Sequence, residues 1–452
     1  MNHILFQSLL YLYTMQNNRS KYLNKLGITA LNPMQTASIE MIESNTDLVL
    51  LSPTGSGKTL AFLLPLVDKI KGSTEKTQLL ILAPARELAI QIEQVIKNLG
   101  TGHKVLCCYG GHMIQTERNS LRHPAEIIVG TPGRIADHVR RGHISTQHIQ
   151  YLVLDEFDKA LELGFHQEMR DIIGQLKELN LRILTSATNM QEIPSFVRLR
   201  KHKILDFLPQ EQLQENLSLK AVRSEGKDKL EAFFSLVCIL GNEPMVVFVN
   251  HREAADRISK HLHEMGLAHD LFHGGLKQEE RERALIKFRN GSHHLLLTTD
   301  LASRGLDIPD IKYVIHYHLP KEKEAFIHRN GRTARMKASG TAYLILAEQE
   351  TLPEYIEGEL QFEALNNYNT PPSPPQWQTI YLDHGKKDKI NKIDIVGLFL
   401  KKGKLKKDEL GLIDVLDHSA YIAVERKKVK QLINLLQNEK IKGKKLKIRI
   451  SR

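Results

Sequence analysis

The feature that most constrains this chain is a series of short apolar runs that never alternate with polar residues. LVLLSP (48–53), LLILAP (79–84), EIIVGTP (126–132), YLVLDE (151–156) and LRILTSAT (181–188) form a first set. MVVFVN (245–250), HLLLTTD (294–300), YVIHY (313–317) and TAYLILA (341–347) form a second. Continuous apolarity over strand length means burial on both faces, hence parallel sheets covered by helices. The intervening 15–30 residues suit crossover helices, among them ARELAIQIEQVIKNL (85–99) and QEERERALIKFRN (278–290). Two βαβ domains in series follow, over residues 1–209 and 210–365. At 452 residues the chain has room for about one more. The proline cluster PPSPP (371–375) marks residues 366–378 as a stiff linker. Residues 379–452 then read as β-α-β-β-α-β, the split arrangement of small RNA-binding sheets.

Charge separates the parts. The segment Lys386 to Arg452 holds 20 Lys and Arg against 8 Asp and Glu, a net of +12 out of the whole chain's +11, so the remainder is nearly neutral. A neutral body with a basic tail predicts a polyanionic partner, most often nucleic acid. With 41% hydrophobic and 25% charged residues, a disordered or fibrous chain is excluded. No run approaches the roughly 18 apolar residues of a membrane span, so no membrane association is expected. No Lys or Arg precedes Arg19, and no secretory signal is expected. Cys107, Cys108 and Cys238 lack C-x-x-C spacing, which fits a reduced, cytoplasmic setting and argues against structural zinc.

SPTGSGKT (52–59) follows one apolar run and precedes a helical pattern. Gly55 and Gly57 let backbone N–H groups turn toward phosphates. The following helix start adds positive potential, Lys58 can reach the β/γ-phosphates, and the Thr59 hydroxyl can hold Mg²⁺. Asp155-Glu156-Phe157-Asp158 ends the run YLVL. A carboxylate at the tip of a parallel strand beside a phosphate loop can hold the water shell of Mg²⁺, and its neighbour Glu156 can orient and deprotonate an attacking water.

With these two motifs in place, the chain resembles the DEAD-box RNA helicases over nearly its whole length. The resemblance is carried by GITALNPMQ (27–35), PARELA (84–89), GG (110–111), TPGR (131–134), SAT (186–188), VFVNHR (247–252), HGGLKQEER (273–281), TTDLASRGLD (298–307) and HRNGRTAR (328–335), in order. It implies an α/β fold of two tandem RecA-like domains, with ATP and Mg²⁺ as cofactors. By the same resemblance Gln35 reads the adenine, while Thr54, Gly55, Ser56, Gly57, Lys58 and Thr59 hold the phosphates. Thr59 and Asp155 hold Mg²⁺ largely through water, and Asp307 contacts the ribose. Arg332 and Arg335 act as arginine fingers, which are typically worth about 10³–10⁵ in rate. Arg86, Gly111, Thr131, Arg134, Asn250, Arg281 and Thr299 fall on RNA-contacting motifs, and Ser186 and Thr188 couple hydrolysis to unwinding. The chain departs from the family at Ala85 (usually Thr), Phe157 (usually Ala), Ser303 (usually Ala) and Ala334 (usually Gly). The bulk of Phe157 is expected beneath the SAT loop. An adenine-stacking aromatic is expected at Tyr11 or Tyr13.

Residues 394–450 resemble the C-terminal RNA-recognition domain of the bacterial DbpA type within that family, an RRM-like sheet. This implies a hairpin of 23S ribosomal RNA as target, a pre-50S particle as partner and a monomeric, cytoplasmic enzyme. The usual stacking rings are reduced to Tyr421, so binding is expected to lean on the Lys/Arg clusters at 401–407, 426–430 and 442–449. The leading expectation is an ATP-dependent RNA helicase. An ATP-gated RNA clamp shares every motif, and DNA unwinding is disfavoured by GITALNPMQ and the tail.

Overall fold

The computed structural model describes residues 18–72, 75–111, 113–190, 192–208, 217–302, 311–333, 340–356, 360–365 and 370–451. Tyr11, Tyr13, Ser303, Asp307, Ala334 and Arg335 lie outside the described residues. The chain divides into two compact units, the first essentially Met1–Gln212 and the second holding the remainder.

The first unit is built on a seven-stranded sheet ordered Val105–Cys108, Ile127–Gly130, Leu79–Leu82, Tyr151–Leu154, Leu181–Ser186, Asp47–Leu51, His202–Asp206. Every pairing is parallel. Because side chains alternate along a strand, each continuous apolar run feeds two cores. Leu48, Leu50, Leu79 and Ile81 enter one, whereas Val49, Leu51, Leu80 and Leu82 enter the other. Fully burying a side chain such as Leu50 or Phe62 stabilises the fold by roughly 1.5–3 kcal/mol.

The second unit opens with another all-parallel seven-stranded sheet, ordered Asp270–Phe272, Leu295–Thr298, Met245–Phe248, Tyr313–His316, Gly340–Leu346, Leu217–Arg223, Gln361–Phe362. In both sheets the strands that the apolar runs do not announce lie at or next to the edges. His202–Asp206 is exposed or half-buried throughout, and Leu217–Arg223 mixes buried with exposed positions, so neither carries a continuous apolar run.

The tail forms an antiparallel sheet ordered Leu410–Val415, Ala420–Glu425, Trp377–Leu382, Ile448–Ile450, backed by helices Lys392–Lys401 and Arg426–Leu436. Its first strand starts at Trp377, within the stretch read as linker. Ile380, Leu382, Ile422 and Val424 face the helices and form the tail core. The opposite face meets the preceding domain. Thr379 Oγ1 lies 2.6 Å from Ser292 Oγ and accepts from Asn290 Nδ2 at 3.1 Å. Arg426 donates to the carbonyls of Pro375, Trp377 and Ser292. Arg289 sits 3.6 Å from Asp414. The helix Gln278–Arg289 and the turn after it therefore hold the tail by its sheet.

Candidate active site and RNA-facing motifs

The strand Asp47–Leu51 delivers the phosphate loop to the start of helix Lys58–Lys69. Gly57 takes φ +91°, and a Cβ there would come 2.5 Å from Gln35 Nε2, so this position requires glycine twice over. Gln35 caps its own helix by accepting from Asn32 N (3.0 Å) and donates to Gly57 O (3.2 Å). Asn32 Nδ2 reaches Ser56 O at 2.9 Å. The residue expected to read the base is thus wired to the loop expected to hold the phosphates. Lys58 is buried, its ammonium donating to Ser52 O (2.6 Å) and Pro53 O (2.9 Å). The buried Thr54 Oγ1 has no hydrogen-bond partner among the described residues. An orphaned hydroxyl, a glycine cradle and a buried ammonium together fit a polyphosphate. Thr59 and Asp155 contribute the hard oxygen donors that Mg²⁺ takes.

Tyr151–Leu154 carries the acidic motif to the same sheet end. Thr185, on the neighbouring strand, donates to Asp155 Oδ1 (2.5 Å) and accepts from Glu156 N (3.0 Å), fixing both acidic residues with one hydroxyl. Burial pushes the Asp155 carboxyl up, opposed by the Thr185 hydrogen bond and the Lys58 charge. Glu156 sits at φ 47°, ψ 52°, a left-handed conformation that costs a non-glycine residue about 1–3 kcal/mol and is tolerated where the surroundings over-determine it. Ser186 Oγ and Thr188 close on each other through two bonds, 2.6 and 3.1 Å, and Thr188 Oγ1 donates to Asp158 Oδ2 at 2.8 Å. Thr185 and Asp158 were assigned no role from sequence, although both lie inside motifs already singled out. Phe157 is fully buried, its ring edge-on to Phe196 at 6.5 Å, so its bulk enters the core of this sheet face.

The first-unit motifs expected to face RNA converge. The Arg86 guanidinium lies over the Gly110–Gly111 turn so closely that a Cβ at Gly111, whose φ is +106°, would collide with it. Thr131 is buried and donates its N–H to Cys108 O. Arg134 Nη1 lies 3.4 Å from Glu117 Oε2.

In the second unit Arg329 is fully buried at the centre of a knot. It pairs with Asp300 (2.6 and 3.1 Å), donates to His318 O (2.7 Å) and Asn250 Oδ1 (2.9 Å), and stacks over Phe248 at 5.2 Å. Three motifs are tied by this one side chain, which sequence reasoning passed over in favour of Arg332 and Arg335. The Asn250 amide accepts from Arg329 and donates to Leu319 O at 3.0 Å. Arg332 is fully buried, and Arg281 is largely buried, donating to Gln278 Oε1 at 2.6 Å. Thr299 is half-buried, its carbonyl accepting from Ala302 N.

Tyr421 departs from its expected role. It is 8% exposed, packs edge-on to Tyr381 at 5.4 Å, and feels the charges of Arg283 and Glu282 on the helix beneath the sheet. A ring covered in this way offers no face to a base. The preceding domain covers the part of the tail's sheet face around Thr379 and Tyr421, whereas Leu412 and Arg449 on that face are exposed.

The DEAD/DEAH box helicase family profile matches residues 32–195, the helicase conserved C-terminal domain residues 228–337, and the DbpA RNA binding domain residues 379–450. The chain is 32% identical to the ATP-dependent RNA helicase DbpA of Escherichia coli, across 95% of this chain and 96% of that protein. It is 29% identical to the protein of the same name in Bacillus subtilis, across 96% and 98%. The solved structure of S. cerevisiae Dbp5 bound to RNA and ADP BeF3 superposes with a TM-score of 0.64 at 26% identity, covering 73% of this chain and 87% of that one. Two parallel-sheet domains of the RecA type with a DbpA-type tail, matched over 95% of the chain by a relative 32% identical to it, place the chain in the DEAD-box family of ATP-dependent RNA helicases.

Proposed function

We propose that this helicase acts on large-subunit ribosomal RNA, addressed through its tail to a 23S hairpin in a pre-50S particle, as a cytoplasmic monomer. The observation that carries the hydrolytic part is the Thr185 bridge, which holds Asp155 and the Glu156 backbone together at a sheet end that also carries Lys58. In this reading Lys58 and the backbone of residues 54–59 bind the phosphates, and Gln35 reports base occupancy through Gly57. Mg²⁺, when bound beside Thr59 and Asp155, supplies charge neutralisation at the phosphates. Glu156 orients the attacking water and takes its proton, with the strained backbone fixing the carboxylate's direction. Arg332 and Arg335 stabilise the charge that spreads over the transferred γ-phosphoryl group as ADP leaves, with Asp307 on the ribose. Arg86, Gly111, Thr131 and Arg134 track the RNA backbone in the first unit, as Arg281 and Thr299 do in the second, while Ser186 and Thr188 relay the hydrolytic state.

The address rests on the tail's charge. With Tyr421 covered, the Lys/Arg clusters at 401–407, 426–430 and 442–449 are what the domain presents to phosphates, and affinity should fall steeply with salt. The test is ATP turnover by the full chain with a 23S hairpin fragment, an unrelated hairpin and single-stranded DNA. Stimulation by the ribosomal fragment at the lowest concentration supports the address. Equal stimulation by the unrelated hairpin refutes it, and equal stimulation by DNA refutes RNA selectivity.

A further inference from the structure

Outside the nucleotide site, the first unit contains one dense buried cluster of polar side chains that the chemistry above does not use. Glu117, on helix Ile114–Leu121, is 5% exposed. Its Oε1 accepts from Tyr109 N at 2.8 Å, immediately before the Gly110–Gly111 turn. Its Oε2 lies 2.7 Å from His138 Nε2 and 3.4 Å from Arg134 Nη1. His138 is fully buried on helix Pro132–Arg140, and its Nδ1 meets His143 Nδ1 at 3.0 Å. With neutral His138, Nε2–H donates to Glu117 and Nδ1 accepts from His143, so the network has a consistent proton arrangement.

We infer that Glu117 is a positioning residue for RNA binding: one carboxylate braces the GG turn and the TPGR arginine against each other, so that the two motifs present a single preset surface. The inference rests on the reading that Arg134 contacts RNA. Each end of the carboxylate does separate work. The Oε1 bond fixes the peptide leading into the turn over which Arg86 lies, and the Oε2 pair fixes the direction of Arg134. His138 anchors the carboxylate from behind, so neither motif can shift without breaking a buried hydrogen bond. The Cys108 thiol completes the cluster, the candidate ligand atoms of Cys108, Glu117 and His138 all lying within 4.8 Å of one another. Burial, and then the Glu117 charge, pushes that thiol up, so it stays protonated. The Arg134 guanidinium is a positive charge facing Glu117. An arginine held in its binding direction loses less conformational freedom when phosphate arrives, which is the benefit of preorganisation. The opposing effect, a carboxylate repelling phosphate, is offset by the Arg134 guanidinium paired with it.

Glu117→Gln tests this, because glutamine keeps the shape and can still accept from Tyr109 N and bond His138, but cannot pair ionically with Arg134. Steady-state ATP turnover of the full chain is measured against RNA concentration for Glu117→Gln, Arg134→Gln and the double variant. The expected result is a rise of about three- to tenfold in the RNA concentration giving half-maximal rate for Glu117→Gln. The maximal rate should stay within about twofold, and Glu117→Gln should add less than about twofold in the Arg134→Gln background. Glu117→Asp, which keeps the charge but shortens the reach, should fall between wild type and Glu117→Gln and serves if the amide variant folds poorly. An unchanged or lowered half-saturation for Glu117→Gln, or full additivity with Arg134→Gln, overturns the inference. No effect of Arg134→Gln alone overturns instead the reading that this arginine contacts RNA.

Discussion

Thr188 Oγ1 donates to the Asp158 carboxylate across 2.8 Å, joining the segment after strand Leu181–Ser186 to the helix that carries the acidic motif. Both partners lie in motifs that the sequence singles out, DEFD (155–158) and SAT (186–188). In the proposed reading this bond reports on the chemistry rather than performs it. Hydrogen bonds to a charged group contribute about 1.5–3 kcal/mol, enough to bias two arrangements of a loop by an order of magnitude or more. Thr188→Ala is therefore expected to keep RNA-stimulated hydrolysis within about threefold while reducing strand separation per ATP by about tenfold. Parallel measurement of phosphate release and duplex dissociation checks this, and equal losses in both would contradict a coupling role.

Glu156 is the proposed base, held in a left-handed backbone by Thr185 and the helix that follows. Glu156→Gln keeps the hydrogen-bonding shape but not the proton affinity, so hydrolysis should fall by about 10²–10⁴ with nucleotide still bound. Lys58→Ala should lose hydrolysis together with nucleotide affinity. Turnover with and without RNA, alongside equilibrium binding of a fluorescent nucleotide, separates the two. Wild-type turnover by either variant would remove that residue from the mechanism.

Phe157 stands where the family usually has alanine, but here the ring is part of the core, fully buried and edge-on to Phe196. Phe157→Ala should leave a cavity and destabilise the first unit by about 3–5 kcal/mol, less if neighbours collapse inward. Thermal unfolding followed by near-ultraviolet dichroism reads the loss. A melting temperature within a degree of wild type would show that the ring is dispensable.

How much of this was legible beforehand depends on whether a property is local. The central strands could be read because burial on both faces leaves continuous apolar runs such as LLIL, and the phosphate and acidic loops because they sit at the ends of those runs. Val105–Cys108, His202–Asp206 and Leu217–Arg223 were missed because strands at or near an edge are only partly covered and carry a weaker pattern. The Thr185 bridge and the bonds from Arg329 to Asp300 and Asn250 join residues 29–79 positions apart, a relation that no spacing rule encodes. Tyr421 shows the limit most clearly. An exposed-looking aromatic on an RNA-binding sheet was assigned to bases, whereas the sheet's partner is the helix Gln278–Arg289 of its own chain.

That docking is testable at Thr379, which is 2% exposed and meets both Asn290 and Ser292, themselves buried. Thr379→Val preserves shape but leaves two buried polar groups short of a partner, a cost of about 1–3 kcal/mol each. The Arg289–Asp414 pair, a third exposed at both ends, compensates little. Faster hydrogen exchange is expected across residues 286–292 and 377–382, with exchange in the strand Tyr151–Leu154 unchanged. Unaltered protection in both segments would mean that the tail is held by other contacts.

His316 gives the second unit a definite pH response. Its ring is fully buried beside Phe326 and bonds Asn330 Oδ1 at 2.8 Å, and burial, reinforced by the Arg329 charge, pushes its pKa down to about 3. The unfolded chain takes up a proton below pH about 6.5 that the folded chain refuses. Stability from this group is therefore complete above about 6.5 and is lost as the pH falls toward 3, at up to about 1.4 kcal/mol per pH unit, or about 2 kcal/mol by pH 5. His318, pushed down to about 4 by burial, acts in the same direction but is only half-buried and contributes less. Denaturant unfolding of the full chain at pH 7.5, 6.0 and 5.0 should show falling stability in the transition that reports this unit. His316→Asn, whatever it costs at neutral pH, should remove about one proton's worth of that slope. A slope identical to wild type would mean that His316 takes up its proton in the folded state, and hence that the Arg329 knot tolerates a second buried cation.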